Sequence, residues 1–182
     1  MILTTDRLLL REFQKDDWRA VLAYQSDPRF YRYYPWENRT EGEARKFVRG
    51  FIEWSRERPR KVFHFAIALI SEERLIGSCG VRIIHLQGRE AEFGCELNPL
   101  YWRQGYATEA ANAILAFGFK KLGLHRIWAQ CIAENAAIIR VLERSGMREE
   151  GLLREHQWLK GRFWDMRLYA ILDHEWKKRR GI

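Results

Sequence analysis

Residues 97 to 123, LNPLYWRQGYATEAANAILAFGFKKLG, change hydrophobic period within a few positions: an alternating strand passes through a short polar turn into an amphipathic helix. Ala107, Ala110, Ala111, Ile114, Leu115, Gly118 and Leu122 recur at helical spacing, and Gly123 sits where a helix stops, so the helix begins near Gly105. Elsewhere the pattern predicts a first strand over 7–13, then a helix capped by Asp16 or Asp17 that runs to about Ser26 and is ended by Pro28. An aromatic segment, FYRYYPW at 30–36, precedes a capping-box pattern of Thr40 and Glu43. That box opens a second helix, which reaches about Arg56 before Pro59.

Strands follow near 62–70 and 74–84 around the turn SEER, and a third near 89–97 leads to the polar turn. Beyond the helix come a strand over 126–133, a helix over 135–145 ending at Gly146, and a hairpin over 151–172 turning at Lys160 and Gly161. Alternating strands and helices in the centre imply some parallel pairing, and the flanking hairpins imply a mixed sheet, hence an α/β fold. A chain of 182 residues with no linker-like stretch reads as one domain, 1–182.

Charge and cysteine usage narrow the function classes. Lys plus Arg number 32 against 24 Asp plus Glu, and the net +8 favours an anionic partner such as a nucleotide cofactor, RNA or an acidic surface. Cys79, Cys95 and Cys131 fall in apparent strands without metal-ligand spacing, which predicts reduced core thiols in a cytoplasmic protein. The five histidines are likewise scattered, so no metal site is expected. No apolar run approaches 18 residues, and neither a membrane span nor a secretion signal is expected.

The turn is the first site of chemical interest. A helix start leaves backbone N–H groups unpaired and carries partial positive charge, so a diphosphate aimed at residues 103–108 would be held by the main chain. Gly105 permits close approach, and Arg103 adds a full charge. An ordinary strand, turn and helix with no ligand remains the alternative on these residues alone.

The sequence of elements, with RQGYATEA in the turn, ENAAIIRVLERSGM at the later helix, TDRLLLRE at 5–12, YPW at 34–36 and the closing hairpin with Gly161 and Asp165, resembles the Gcn5-related N-acetyltransferase (GNAT) superfamily. Within it the chain is similar to the branch that acetylates ribosomal-protein N-termini. The resemblance implies a mixed sheet of about seven strands with a central splayed parallel pair, flanked by helices. It implies an acetyl-CoA diphosphate on Arg103, Gln104, Gly105, Tyr106, Ala107 and Thr108, with the pantetheine arm between 92–98 and 127–132, beside Leu97 and Asn98. It also gives Asn135 a role in bonding the pantetheine arm or an ordered water; a plain N-cap explains the same residue. The Ser and Tyr that the superfamily often places three and seven residues after this Asn are Ile138 and Leu142 here. Neither can protonate a departing thiolate, so water, another tyrosine or unassisted departure must serve. Trp102 stands where the superfamily usually has a basic residue or Gln.

Transfer to an amine needs a neutral nitrogen. On the strand AEFGCEL, Glu92 and Glu96 share one face and are candidates for a base or an amine-orienting group, against the alternative of a solvated face paired with Arg82 or Arg89. An α-amine with pKa ~7.8 is roughly 10 to 15% neutral at pH 7 and a lysine with pKa ~10.4 about 0.04%, which favours the α-amine of a protein N-terminus. Tyr34, Trp36 and Trp164 are candidates to wall the acceptor cleft, with Glu37 and Asp165 as further carboxylates. A small amine acceptor (a polyamine, an aminoglycoside, an amino acid) is the alternative. So is a non-catalytic RNA- or ribosome-associated protein on the same fold, to which the basic tail WKKRR would contribute if it is more than a frayed helix end. Monomer and homodimer are both compatible with the sequence.

Overall fold

The computed structural model describes residues 1–87 and 89–181. In chain order the elements are β1 (Ile2–Thr4), β2 (Leu8–Arg11), α1 (Trp18–Gln25), α2 (Pro28–Tyr31), α3 (Glu41–Arg56), β3 (Val62–Leu69), β4 (Leu75–His85), β5 (Glu90–Leu97), α4 (Tyr106–Lys120), β6 (Arg126–Ile132), α5 (Ala136–Arg144), β7 (Arg148–Leu159), β8 (Arg162–Leu172) and α6 (Asp173–Arg180). The strands form one eight-stranded sheet in the order β1-β2-β3-β4-β5-β6-β8-β7, and β5–β6 is its parallel contact among antiparallel neighbours.

Two of the local signals are found in place. Thr40 and Glu43 close the capping box at α3: Thr40 Oγ1 accepts from the Glu43 N–H at 3.3 Å, and the Glu43 carboxylate accepts from the Thr40 N–H at 2.8 Å. Lys160 and Gly161 both adopt positive φ, 49° and 77°, as a two-residue hairpin turn requires.

The sheet of about seven strands is present with β1, too short to show a period, as an eighth. Three other expectations need correction. Pro28 does not stop α1, which ends at Gln25; it occupies the first turn of α2, where Asp27 caps by accepting from the Arg29 N–H at 2.9 Å. Asp17 does not cap α1 with its side chain, because it holds Arg11 in a two-bond ion pair at 2.8 and 2.9 Å. The basic tail is a docked helix, with Trp176 3% exposed against Phe119 at 5.4 Å.

The sheet is a middle layer. One face, centred on Phe65, Val81, Phe93, Ile127 and Tyr169, is covered by α4 with Ile114, Leu115 and Phe117, and by Leu142 of α5 and Trp176 of α6. The other face meets α1 and α3 through Val21, Tyr24, Ala44 and Val48. β5 and β6 pair only at Glu90–Arg126, Ala91–Ile127 and Glu92–Trp128. Past Glu92 the two strands run on without a ladder between them, and the gap joins the two faces of the sheet.

Candidate active site

A cleft of about 760 Å³ opens where β5 and β6 part. From one side it is lined by Cys95, Leu97 and the start of α4; α5 contributes Asn135, Ile138, Arg140 and Arg144, and the other side brings Arg29, Phe30, Arg32, Tyr33, Tyr34 and Glu96.

The chain is forced into a tight bend at the start of α4. Gly105 has φ +84°, and the preceding Arg103 also lies in the left-handed region at φ +62°. The first helical bond is from the Glu109 N–H to the Gly105 carbonyl at 3.0 Å. Among the described residues no carbonyl accepts from the N–H groups of Arg103, Gln104, Gly105, Tyr106, Ala107 or Thr108, and all but Gln104 line the cleft. Six consecutive donors at the positive end of a 15-residue helix are the electrostatic complement of a diphosphate.

The N-terminal segment holds this bend in shape, a role its sequence did not disclose. Arg7 donates to the Gln104 carbonyl at 3.0 Å and to Glu109 Oε2 at 2.7 Å, and its guanidinium lies 4.3 Å from the centre of the Tyr106 ring. Glu109 also accepts from Thr5 Oγ1 at 2.6 Å and from the Arg7 N–H at 3.0 Å. Partial burial opposes its ionisation, but these donors prevail and hold its carboxyl below the usual range.

Leu97 lines the cleft, and its carbonyl accepts from Trp102 Nε1 at 2.7 Å, which pins the end of β5. Asn98 caps the following 3₁₀ turn by accepting from the Leu100 N–H at 3.0 Å and does not line the cleft. Asn135 accepts from the Ile138 N–H at 3.4 Å, so it is an N-cap and a lining residue at once. Arg29 is held by Asp27 at 2.6 Å, whereas Arg32, Arg103, Arg140 and Arg144 have no carboxylate within 4.0 Å among the described residues.

The two candidate glutamates have different fates. Glu92 stands where β5 still pairs with β6, outside the cleft, and is bound by Arg82 at 2.5 Å. Glu96 lies on the unpaired end of β5 and faces the cleft. Its carboxylate accepts from Gln25 Nε2 at 2.9 Å and from the Tyr24 hydroxyl at 3.2 Å. Burial under these side chains raises its carboxyl above the ordinary glutamate range, against the opposing effect of the two donors and of Arg39. Periodicity placed the two glutamates on one face, correctly, but could not see that the sheet opens between them.

The aromatic candidates also divide. Tyr34 lines the cleft and stacks on Phe30 at 4.8 Å. Trp36 backs Tyr34 at 4.5 Å from outside the lining. Trp164 is 8% exposed and packs with Ile132 and Leu159, its indole N–H donating to the Leu159 carbonyl at 2.9 Å. Glu37 lies 4.0 Å from Lys160, and Asp165 accepts from the Glu155 N–H at 2.7 Å, so neither carboxylate enters the cleft. All three cysteines are free thiols; burial pushes Cys131 up to about 11 and Cys79 well above its ordinary value, whereas Cys95 lines the cleft.

Comparison with known proteins gives a consistent result. Residues 7–148 match the model of the Acetyltransferase (GNAT) domain. The chain is 40% identical to the uncharacterised N-acetyltransferase YnaD of Bacillus subtilis, over 97% of this chain and 99% of that one. It is 30% identical to a spermidine N(1)-acetyltransferase of Vibrio cholerae over 60% of this chain and 63% of that one. A GNAT-family acetyltransferase structure from Bacillus anthracis superimposes with a TM-score of 0.84 at 37% identity, covering 96% of this chain and 99% of that one.

The upward shift at Glu96 has a consequence for stability. A carboxyl raised by folding costs nothing while protonated, and the penalty appears as pH rises through its folded value. Glu96→Gln keeps an acceptor for Gln25 and Tyr24 and removes the charge. It should melt higher than the parent at pH 8, by roughly 2–4 °C for about 1 kcal/mol in a chain of this size, with the difference vanishing near pH 4. Calorimetric melting across that range checks the expectation; a lower melting point at pH 8 contradicts it.

Proposed function

The chain belongs to the acetyltransferase (GNAT) family and is an acetyl-CoA-dependent N-acetyltransferase; we propose that its acceptor is the α-amine at the N-terminus of a protein. The observation that carries the cofactor half of this reading is the run of six unpaired N–H groups, 103–108, at the mouth of the cleft. In our reading the acetyl-CoA diphosphate rests on that main chain, and Arg103, Arg140 and Arg144 supply the charge that its phosphates need. The pantetheine arm enters between the unpaired ends of β5 and β6 beside Leu97, with Asn135 at the opposite wall. That path brings the thioester to Glu96, which takes a proton from the attacking nitrogen. The nitrogen attacks the acetyl carbonyl directly, and no cysteine carries the acetyl group.

The charge of the lining favours a peptide over a polyamine. A polycation needs several free carboxylates, but the cleft offers Glu96 and Glu134, and Glu134 is engaged by Arg162 at 3.1 Å. The remaining charged groups of the lining are arginines, among which Arg32 at the acceptor side has no carboxylate partner among the described residues. One neutral amine followed by peptide carbonyls suits such a cleft, and an α-amine is far more often neutral than a lysine at pH 7.

Two experiments test the two halves. Gly105→Glu sets a negative charge against the diphosphate at a position whose φ disfavours any side chain, so acetyl-CoA should no longer raise the melting temperature. Retained stabilisation contradicts the cradle. Thiol release from acetyl-CoA should be seen with short peptides bearing free N-termini and be absent with N-blocked peptides, spermidine and aminoglycosides. Turnover confined to the small amines would overturn the peptide assignment, and turnover with none, despite acetyl-CoA binding, would favour a non-catalytic role.

A further inference from the structure

The reaction must end with a proton on the departing sulfur, and the helix that often supplies it cannot do so here. Ile138 reaches the cleft with a hydrocarbon side chain, and Leu142, 1% exposed, is buried in the core behind it. Four tyrosines line the cleft: Tyr33, Tyr34, Tyr101 and Tyr106. Tyr33 donates its hydroxyl hydrogen to the Glu134 carbonyl at 3.1 Å. Tyr101 is drawn to Arg74, whose guanidinium donates to its oxygen at 3.2 Å, and Tyr106 is stacked under Arg7 at the cofactor end. Tyr34 differs from these. It lines the cleft together with Cys95 and Glu96, where the sheet parts, and its ring is fixed between Phe30 at 4.8 Å and Trp36 at 4.5 Å; burial first, and then the charge of Glu96, raise the pKa of its phenol.

We propose that Tyr34 is the general acid of this acetyltransferase and that it works as a unit with Glu96, passing the proton of the acceptor amine to the sulfur of coenzyme A. The inference rests on the acetyl-CoA reading above. The nitrogen lone pair forms the new C–N bond as the C–S bond breaks with its electron pair on sulfur. Sulfur takes the phenolic proton of Tyr34, and Tyr34 recovers a proton from Glu96, which has received it from the nitrogen. Glu96 ends as the carboxylate with which it began, and the net change is an N–H exchanged for an S–H. Burial keeps the Tyr34 phenol protonated well above the ordinary tyrosine range, so the donor is loaded at every working pH. Gln25 and Tyr24 serve as positioning residues, since they fix the carboxylate from the α1 side.

Tyr34→Phe keeps the ring and its stacking and removes the proton. With the peptide acceptor found in the screen, kcat should fall by about 10²- to 10⁴-fold, with KM for acetyl-CoA and the melting temperature unchanged. The Y34F/E96Q double variant should lose no more than the worse single one, as expected of groups that act as a unit. Unchanged kcat in a folded Y34F enzyme, or losses that multiply in the double variant, would overturn the proposal. Should Y34F fail to fold, a proton inventory on the native enzyme decides: a curved inventory reports several protons in flight and a linear one contradicts the shuttle. Absence of acetyl-CoA binding by the native enzyme would instead overturn the cofactor reading.

Discussion

The parallel contact between β5 and β6 lasts for three residue pairs, and the divergence beyond Glu92 determines what the molecule can do. A continuous ladder would seal the sheet and keep its two faces apart. Because the strands separate, a passage runs from the α4 and α5 side to the α1 and α2 side. The bend at Gly105 follows from the same geometry: the chain must leave β5, turn sharply and start α4, and a left-handed glycine with its flanking N–H groups is what remains at the mouth. Arg7, Thr5 and Glu109 then brace a bend whose own backbone groups are left unpaired.

The two faces contribute different physics. On the α4 side the elements are main-chain donors and arginines, which on the proposed reading meet the phosphates of acetyl-CoA. On the α1 side Tyr24, Gln25, Tyr34 and Glu96 form a half-enclosed polar group at the end of an apolar core. An ionised carboxyl in that position is a burden on folding, tolerated because two donors share it. The same desolvation raises its proton affinity toward the range a base needs at neutral pH. On the proposed reading of Glu96 as the base, stability is thereby exchanged for reactivity at one residue.

Much of this was legible in the residues, and the failures have physical reasons. Helix α4, its start at Gly105, the Thr40–Glu43 box and the Lys160–Gly161 turn are set by local chemistry, which a sequence displays directly. β1 is three residues long and shows no period, and Pro28 could be read as a stop or as a first-turn residue with equal warrant. The basic run at 176–180 hides a single buried tryptophan, enough to dock a helix. The separation of Glu92 from Glu96 is a tertiary fact, since both share a face and differ in whether the neighbouring strand is still there. The contacts of Arg7, although it sits in the TDRLLLRE segment, and of Gln25 were not legible because their partners are roughly 70 to 100 positions away.

The central claim is that the cofactor is held by the backbone of residues 103–108. It is tested most directly by following those amides themselves: ¹H–¹⁵N correlation spectra of the labelled protein, titrated with coenzyme A. The largest shifts should fall on the amides of Gln104 to Thr108, with downfield movement of the protons as they bond to phosphate. Saturable binding of coenzyme A with those amide resonances unmoved would contradict the account.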